Sequence, residues 1–238
     1  MPMNNRTAYI FGGACLCIFL TSQAFQELAY RFWIPLSHGP QDDLLTYRLA
    51  IDQVRAAWIA AGIVGLTVPF VIITLRCFRA APVSSVLGLI FGMGFVFFEI
   101  SHRSLDFFVV GQTWALQLAH APTEPERAAI LQRFALWNQI VKAWYFPLML
   151  CYLLCSLFFA YALWKAKSTN SWEWLAPVAF VLNALRLMAR ILSSFAGQHW
   201  LDGFNDSLYF PAVFTIVTLL AIWFLLLARN PDRTGDTP

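Results

Sequence analysis

Long apolar segments recur along the chain and are separated by short stretches that hold most of its charges. A helix needs about 20 mostly apolar residues to cross a hydrocarbon core of roughly 30 Å. Six segments meet this requirement, and they run from Ala8 to Leu28, Ala56 to Leu75, Val83 to His102, Phe146 to Lys165, Trp172 to Ser194 and Tyr209 to Leu227. The pattern predicts an all-α, polytopic membrane protein in which residues 1–238 form a single six-span transmembrane domain.

The first segment has a second interpretation, a cleavable signal peptide. Ser22-Gln23-Ala24 has the small-x-small pattern of a cleavage site. However, only Arg6 precedes the apolar run, and the helical pattern continues through Glu27 to Arg31. We therefore expect a retained first span.

The composition indicates that lipid is the main solvent of this chain. Apolar residues make up 59% and charged residues 12%, whereas soluble domains carry about 25% charged residues. The mean hydropathy is +0.62. These values exclude a disordered chain, a coiled coil, a disulfide scaffold and an ordinary cytosolic enzyme. The five cysteines form no CxxC pair and lie within or beside apolar segments, so we expect them to pack rather than to form disulfides.

Basic residues gather in alternate connections of the six-segment chain. Those at the N-terminus, in the second and fourth connections and at the C-terminus are Arg6, Arg76, Arg79, Lys165, Lys167, Arg229 and Arg233. The acidic residues on the other side are Asp42, Asp43, Glu124, Glu126, Asp202 and Asp206. Because basic loops stay on the cytoplasmic side, we expect two cytoplasmic termini in a plasma membrane, such as a bacterial inner membrane. The net charge of +3 comes without a Gly-rich phosphate loop, so we expect no nucleic-acid partner.

Three helices are predicted to outrun the membrane on the outer side. The second runs from Gln41 to Arg76, the third from Val83 to Ala119, and the fourth from Thr123 to Lys165. We expect Thr123 and Glu126 to form a capping box and Pro125 to be tolerated in the first turn. The fourth helix would then be roughly 60 Å long.

These extensions are amphipathic, so they need an apolar partner. Their apolar residues are Leu44, Leu45, Leu49, Val54, Phe107, Val110, Leu116, Leu118, Ile130, Leu131 and Phe134. We expect residues 36–55 and 103–145 to form a small outer cap with a core of its own. The alternative is that they lie flat among the lipid headgroups. Within the membrane, Gly88-x-x-x-Gly92 is typical of close helix packing.

The polar residues of the helices gather near the outer boundary, and a few lie deeper. Counting the helical rise places Glu99 roughly 5 Å inside that boundary, and Arg186 and Arg190 roughly 6 to 12 Å inside. A charge at mid-bilayer costs about 3 kcal/mol, so these groups should face the bundle interior. This predicts an outward-facing polar cavity beneath the cap. The candidate ligand-binding residues are Glu27, Arg31, Glu99, His102, Arg103, Asp106, Asn138, Lys142, Asn183, Arg186, Arg190 and His199.

Arg186 and Arg190 are like charges one helical turn apart and need an anionic counterpart. One interpretation is a closed ion-pair network with Glu99, Glu27 and Asp106 that fixes helix packing. The other is that part of the positive charge awaits a carboxylate or phosphate of a ligand. Near-equal numbers of acids and bases in this layer leave both open.

Metal and haem chemistry have little support. Glu99-x-x-His102 has the spacing of carboxylate-bridged di-metal bundles. Such sites need a second motif and two further carboxylates, and this chain offers only His199-x-x-Asp202. Arg103 would also repel a cation, so we expect no metal site. A b-type haem or a metal held by His102 and His199 would rest on two lone histidines, so the cofactor stays open. If the protein is an enzyme, Glu99, His102 and Asp106 are the candidate acid–base residues.

The leading functional hypothesis is a protein that binds or transports a small anionic or amphipathic ligand. The aromatic content of 16% favours a lipid- or quinone-like molecule. One alternative is an intramembrane enzyme acting on a lipid-type substrate at the outer leaflet. Another is a structural or accessory subunit of a membrane complex, in which the bilayer, another membrane protein or a second copy is the partner.

Overall fold

The computed structural model describes residues 5–230, and over that range the chain is entirely helical apart from its connections. Six helical spans in this range are long and apolar enough to cross a membrane. They are Asn5–Trp33, Ala50–Cys77, Pro82–His120, Glu124–Ala166, Ser171–Phe195 and Asn205–Arg229. Each contains the whole of one of the six predicted apolar segments. The prediction of an all-α chain with six potential membrane spans is therefore confirmed.

Nine α-helices make up these spans and one connection in the described range: α1 Asn5–Leu28, α2 Pro40–Thr46, α3 Ala50–Gly65, α4 Thr67–Cys77, α5 Pro82–Leu105, α6 Ala115–His120, α7 Glu124–Ala166, α8 Leu175–Phe195 and α9 Asp202–Arg229. Two π-helical stretches, Ala29–Trp33 after α1 and Asp106–Trp114 between α5 and α6, keep the first and third spans continuous. Short 3₁₀ turns, Ser171–Trp174 and His199–Leu201, precede α8 and α9.

Two predicted details of the long helices were wrong. Residues 41–76 do not form one helix, because the chain turns between α2 and α3. From Ala50 to Cys77 the span is continuous, since Leu66 between α3 and α4 keeps helical backbone angles. Thr123 occupies the N-cap position of α7 but makes no capping hydrogen bond through its side chain. Pro125 in the first turn supplies the preset backbone angle instead. α7 then continues for 43 residues through Pro147.

The six spans form a ring in chain order. α1 packs against α3 and α4, these against α5, α5 against α7, α7 against α8, α8 against α9, and α9 returns to α1. Asn5 and Arg229 lie at the same end, since the rings of Tyr9 and Phe224 are 6.5 Å apart. We call this end of the bundle the terminal end.

Aromatic side chains fill the middle of the ring near the terminal end. The buried ring of Phe159 lies 5.7 Å from that of Phe70 and 5.4 Å from that of Phe180. Gly88 and Gly92 provide the space for this layer, because an added Cβ would lie 2.6 Å from Phe159 and 2.8 Å from Phe70. The Gly-x-x-x-Gly pattern thus makes room for rings rather than for a second backbone. This aromatic layer closes the centre of the bundle.

A second hydrophobic cluster lies at the opposite end. Its residues come from α2, the π-helical stretch Asp106–Trp114, α6, the turn after α6 and the start of α7. They are Leu44, Val110, Ala115, Leu118, Ala121, Ile130 and Phe134. We call it the end cluster. Five of these residues are among the apolar positions expected to need a partner, whereas Val54 and Leu116 remain exposed.

Candidate functional site

A cavity of about 890 Å³ lies inside the ring of spans, lined by residues from α1, α3, α5, α7, α8 and α9. Small-molecule sites in proteins commonly have volumes of about 300–1,000 Å³. Its polar and charged residues include Gln23, Gln26, Glu99, Arg103, Lys142, Asn183, Arg186, Arg190, Ser193, Ser194, His199, Asp202 and Asp206. The space is therefore large enough for a compact organic ligand.

The cavity is polar at its mouth and mostly apolar at its floor. The lining residues farthest from the terminal end include Lys142, Arg190 and His199. Those nearest the terminal end are mainly apolar, and they include Phe19, Ile63, Phe95, Ile216 and Val217. One helical turn below Asn183 lies Phe180 of the aromatic layer, so the cavity is closed on that side.

Arg186 is the charged group deepest in the cavity on α8. Its Nη2 and Nε atoms donate to Oδ1 of Asn183, at 3.1 and 3.3 Å. Asn183 is buried and in turn donates to the Ser156 hydroxyl at 2.8 Å. The guanidinium carbon lies 5.4 Å from the centre of the Tyr209 ring. Every one of these partners is neutral, and no carboxylate among residues 5–230 lies within 4.0 Å of Arg186.

Most other charges in the cavity are paired. Glu99 accepts from Arg103 at 2.8 Å, within α5, rather than from Arg186. Arg190 reaches Asp206 at 3.3 Å across the α8–α9 contact. Thus Arg186 does not take part in the closed ion-pair network that was one of the two expectations. Within the described chain, four basic and three acidic side chains line the cavity: Arg103, Lys142, Arg186 and Arg190 against Glu99, Asp202 and Asp206.

Asp202 joins α8 to the start of α9 at the cavity mouth. The Ser193 hydroxyl donates to its Oδ1, and His199 Nδ1 lies 3.1 Å from its Oδ2. These two hydrogen bonds lower the pKa of Asp202 below the usual range for aspartate. The serine contacts the carboxylate rather than the imidazole, so this trio does not form a Ser-His-Asp catalytic arrangement.

Seven of the twelve predicted ligand-binding residues line the cavity, namely Glu99, Arg103, Lys142, Asn183, Arg186, Arg190 and His199. The cavity lining does not include Glu27, Arg31, His102, Asp106 or Asn138. Glu27 and Arg31 pair with each other at 2.8 Å, with the arginine side chain 66% exposed. Asn138 is exposed on α7.

His102 and Asp106 form a separate buried cluster. His102 Nε2 lies 3.2 Å from Asp106 Oδ2, and Trp137 Nε1 donates to Asp106 Oδ1 at 3.0 Å. At 3.6 residues per turn, His102 projects about 60° to one side of Glu99 and Arg103 about 40° to the other. The geometry thus separates His102 from the cavity that Glu99 and Arg103 line.

The arrangement does not support the acid–base and haem alternatives. Glu99, His102 and Asp106 do not share the cavity, and Glu99 is occupied by Arg103. Of the two histidines considered as haem ligands, only His199 lines the cavity. Within residues 5–230, no three His, Cys, Asp or Glu side chains are grouped so as to hold a metal ion.

Sequence reasoning missed the tyrosines of the site. Tyr30, Tyr145, Tyr152 and Tyr209 line the cavity, although in the sequence they lie within or just beside apolar segments and carry no charge that marks them. Across the described residues, the hydroxyls of Tyr30, Tyr145 and Tyr209 have no side-chain or backbone hydrogen-bond partner. The i, i+7 spacing of Tyr145 and Tyr152 on α7 is the signal that places them on one face.

No protein-family model, curated protein or solved structure matches this chain. The geometry of the cavity therefore carries the functional argument.

Proposed function

We propose that this membrane protein binds a small ligand through an anionic group that Arg186 receives inside the cavity. The observation that carries the proposal is a partly buried guanidinium whose partners are all neutral. Charge is costly within a bilayer, at about 3 kcal/mol near the midplane even on gentle scales. A ligand carboxylate or phosphate would offset that cost, and its oxygen atoms would accept two parallel hydrogen bonds from the planar guanidinium.

The charge of the loops supports an outward orientation of the cavity. Arg79, Lys165, Lys167 and Arg229 lie at the terminal end, which the positive-inside rule would place in the cytoplasm. Arg233 lies outside the described residues. In this orientation the termini are cytoplasmic in a plasma membrane, such as a bacterial inner membrane. The end cluster then forms the predicted outer cap, and the cavity opens on the same side.

Binding is the minimal activity, and transport would add a second state. The aromatic layer around Phe159 separates the cavity from the terminal end. Transport by alternating access would require this layer to open while the mouth closes. The enzyme alternative has less support, because its candidate acid–base groups lie apart or are already paired.

The test uses the purified full chain in lipid nanodiscs, with acetate, inorganic phosphate, octanoate and octyl phosphate as probes. A ligand that binds only the folded protein raises its unfolding temperature, with a stabilisation of about 2.7 kcal/mol at 100 times Kd. We expect such a shift with at least one anionic probe. Arg186→Gln should abolish the shift. Arg31→Gln, which alters an exposed arginine outside the cavity, should retain it.

Asn183→Asp provides a second variant that keeps the guanidinium. The new carboxylate would lie where Oδ1 of Asn183 now accepts from Arg186, so it should compete with the ligand and weaken binding. Equal shifts in wild type, Arg186→Gln and Asn183→Asp would overturn the proposal. No shift with any probe would also overturn it and would favour the accessory-subunit alternative.

A further inference from the structure

We infer that the ligand is an amphiphile whose acidic group lies on Arg186 and whose apolar body extends toward the cavity floor, against α1, α3 and the deeper half of α9. This inference rests on the proposed function and names the ligand class. A small hydrated anion and an amphiphile both satisfy Arg186. The remaining walls of the cavity distinguish between them.

The charged group of the deep part of the cavity lies on one side, and the opposite side is mainly apolar. On the α7–α8 side, Arg186, Asn183 and Tyr152 present nitrogen and oxygen atoms. Leu148, Met149 and Leu187 of the same helices lie beside them. On the other side α1 contributes Phe19, and α3 contributes Ile59 and Ile63, while Gln23 of α1 lies one turn nearer the mouth. A molecule that contacts both sides must itself have a charged end and an apolar end.

α9 links the two sides in one helix. Tyr209, which stacks on Arg186, lies toward the mouth, whereas Val213, Ile216 and Val217 follow toward the floor. These positions lie one to two turns below Tyr209, about 6 to 12 Å along the helix axis. The apolar part of the ligand would therefore extend a short chain length from its acidic group.

A hydrated inorganic ion would leave the apolar side in contact with water. Each methylene that moves from water into an apolar site favours binding by about 0.8 kcal/mol, or about fourfold in affinity. Octanoate has six methylenes more than acetate, so it should bind with far higher affinity. The gain per methylene should continue along the series until the ligand fills the apolar side. Because the cavity has a volume of about 890 Å³ and is closed at its floor, it sets the ligand chain length beyond which affinity stops rising.

The uncompensated charge selects an acid over a neutral amphiphile. Hydrogen bonds to a charged partner contribute about 1.5–3 kcal/mol, which is about 10- to 150-fold in affinity. Octanoate should therefore bind more tightly than octanol by about this factor in the wild type. In Arg186→Gln the two compounds should bind equally.

The experiment measures affinity, at known free aqueous concentration, for acetate, butyrate, hexanoate and octanoate on the full chain in nanodiscs. Protein-free nanodiscs provide the partitioning background. Octyl phosphate and octanol complete the set, so that carboxylate, phosphate and neutral head groups are compared on one chain length. We expect affinity to rise with chain length, and octanoate or octyl phosphate to exceed octanol.

A pair of wall variants tests the location of the chain. Val213→Thr with Val217→Thr adds hydroxyls to the buried apolar side and should flatten the dependence on chain length. Val178→Thr makes the same exchange at a residue of α8 that is 44% exposed on the bundle surface, and it should leave that dependence unchanged.

The outcomes separate this inference from the proposed function. If acetate and inorganic phosphate bind as tightly as octanoate and lose affinity in Arg186→Gln, the proposed function stands and the amphiphile inference is overturned. If octanol binds as tightly as octanoate in the wild type, the cavity takes a neutral amphiphile, and the role of Arg186 is overturned. If affinity rises with ligand chain length as steeply in the Val213/Val217 variant as in the wild type, the alkyl chain does not lie against this part of α9, and the inferred placement is wrong.

Discussion

Gly88 of α5 lies against the ring of Phe159 in α7, where a methyl group has no room. An ideal Cβ at this position would lie 2.6 Å from Cδ1 and 2.7 Å from Cε1 of the ring. Carbon atoms pack favourably at about 3.5–4.0 Å, so the ring would have to move by about 1 Å. The rings of Phe70 and Phe180 enclose it, and Phe159 itself is fully buried.

Gly88→Ala should therefore destabilise the protein. Overpacking of a closed core costs about 1–3 kcal/mol, and this site belongs to the upper part of that range because the ring has filled space on both sides. Part of this loss is offset, because alanine loses less backbone entropy on folding than glycine and is favoured over it in a helix by about 0.5–1 kcal/mol. The expected net loss is about 2 kcal/mol, measured as the free energy of unfolding in mixed micelles of a mild detergent and an increasing fraction of dodecyl sulfate.

The matched control is Gly65→Ala in α3. Its added Cβ would lie 3.8 Å from the nearest atoms, which belong to Cys15, so it meets ordinary van der Waals contact. This variant should be neutral or slightly stabilising. Phe159→Leu completes a double-mutant cycle, because its smaller side chain makes room for the methyl group of Gly88→Ala. The double variant should be more stable than the sum of the two single losses predicts, by about 0.5–3 kcal/mol. Equal effects of the two alanine variants, or no coupling with Phe159→Leu, would refute the argument that ring packing requires glycine here.

Two further predictions concern charged groups at opposite ends of the bundle. Glu173→Gln removes the carboxylate that Arg76 contacts at 2.7 Å, and both side chains are less than one-tenth exposed. The substitution should lower the free energy of unfolding by about 3–5 kcal/mol, because a buried cation loses its partner. A loss below about 1 kcal/mol in the same micelle titration would contradict this reasoning. Asp202→Asn tests the carboxylate that Ser193 and His199 hold. Because the folded pKa of Asp202 is lowered, its contribution to stability is present above the usual aspartate pKa of about 3.9 and is lost as the pH falls through the folded value. The difference in unfolding temperature between wild type and Asp202→Asn should therefore shrink below about pH 4, and a constant difference at all pH values would show that Asp202 is not held in this way.

The membrane spans were predictable because their signal is long and local. Each needs only an uninterrupted apolar run, and the bilayer thickness sets its length. The deep charges were predictable for a related reason, since lipid excludes them from the outside of the bundle. Glu99, Arg186 and Arg190 accordingly line the cavity in the structure. Hydropathy and helical rise together were sufficient for this step.

The choice of partners was not predictable in the same way. Arg76 looks like a loop charge in the sequence, yet it pairs with Glu173, which is 97 residues away. His102 and Asp106 follow Glu99 on the same helix but turn away from the cavity. Such outcomes depend on the rotation of each helix about its axis. The π-helical turns that begin at Asp106 also change the rotation of the residues that follow them, and neither the apolar pattern nor the residue spacing indicates these turns.

Arg76 and Arg186 are arginines of one bundle whose side chains have different kinds of partner. Arg76 meets a buried carboxylate, so its charge is neutralised within the protein. Arg186 meets Asn183, an amide that Ser156 holds in place, and this partner orients the guanidinium without neutralising it. A group needed only for packing is served better by the first arrangement, because it leaves no net charge to solvate. The second arrangement is suited to receiving a charge from outside the protein, and the adjoining apolar wall of α1, α3 and α9 favours a carrier of that charge with an apolar body.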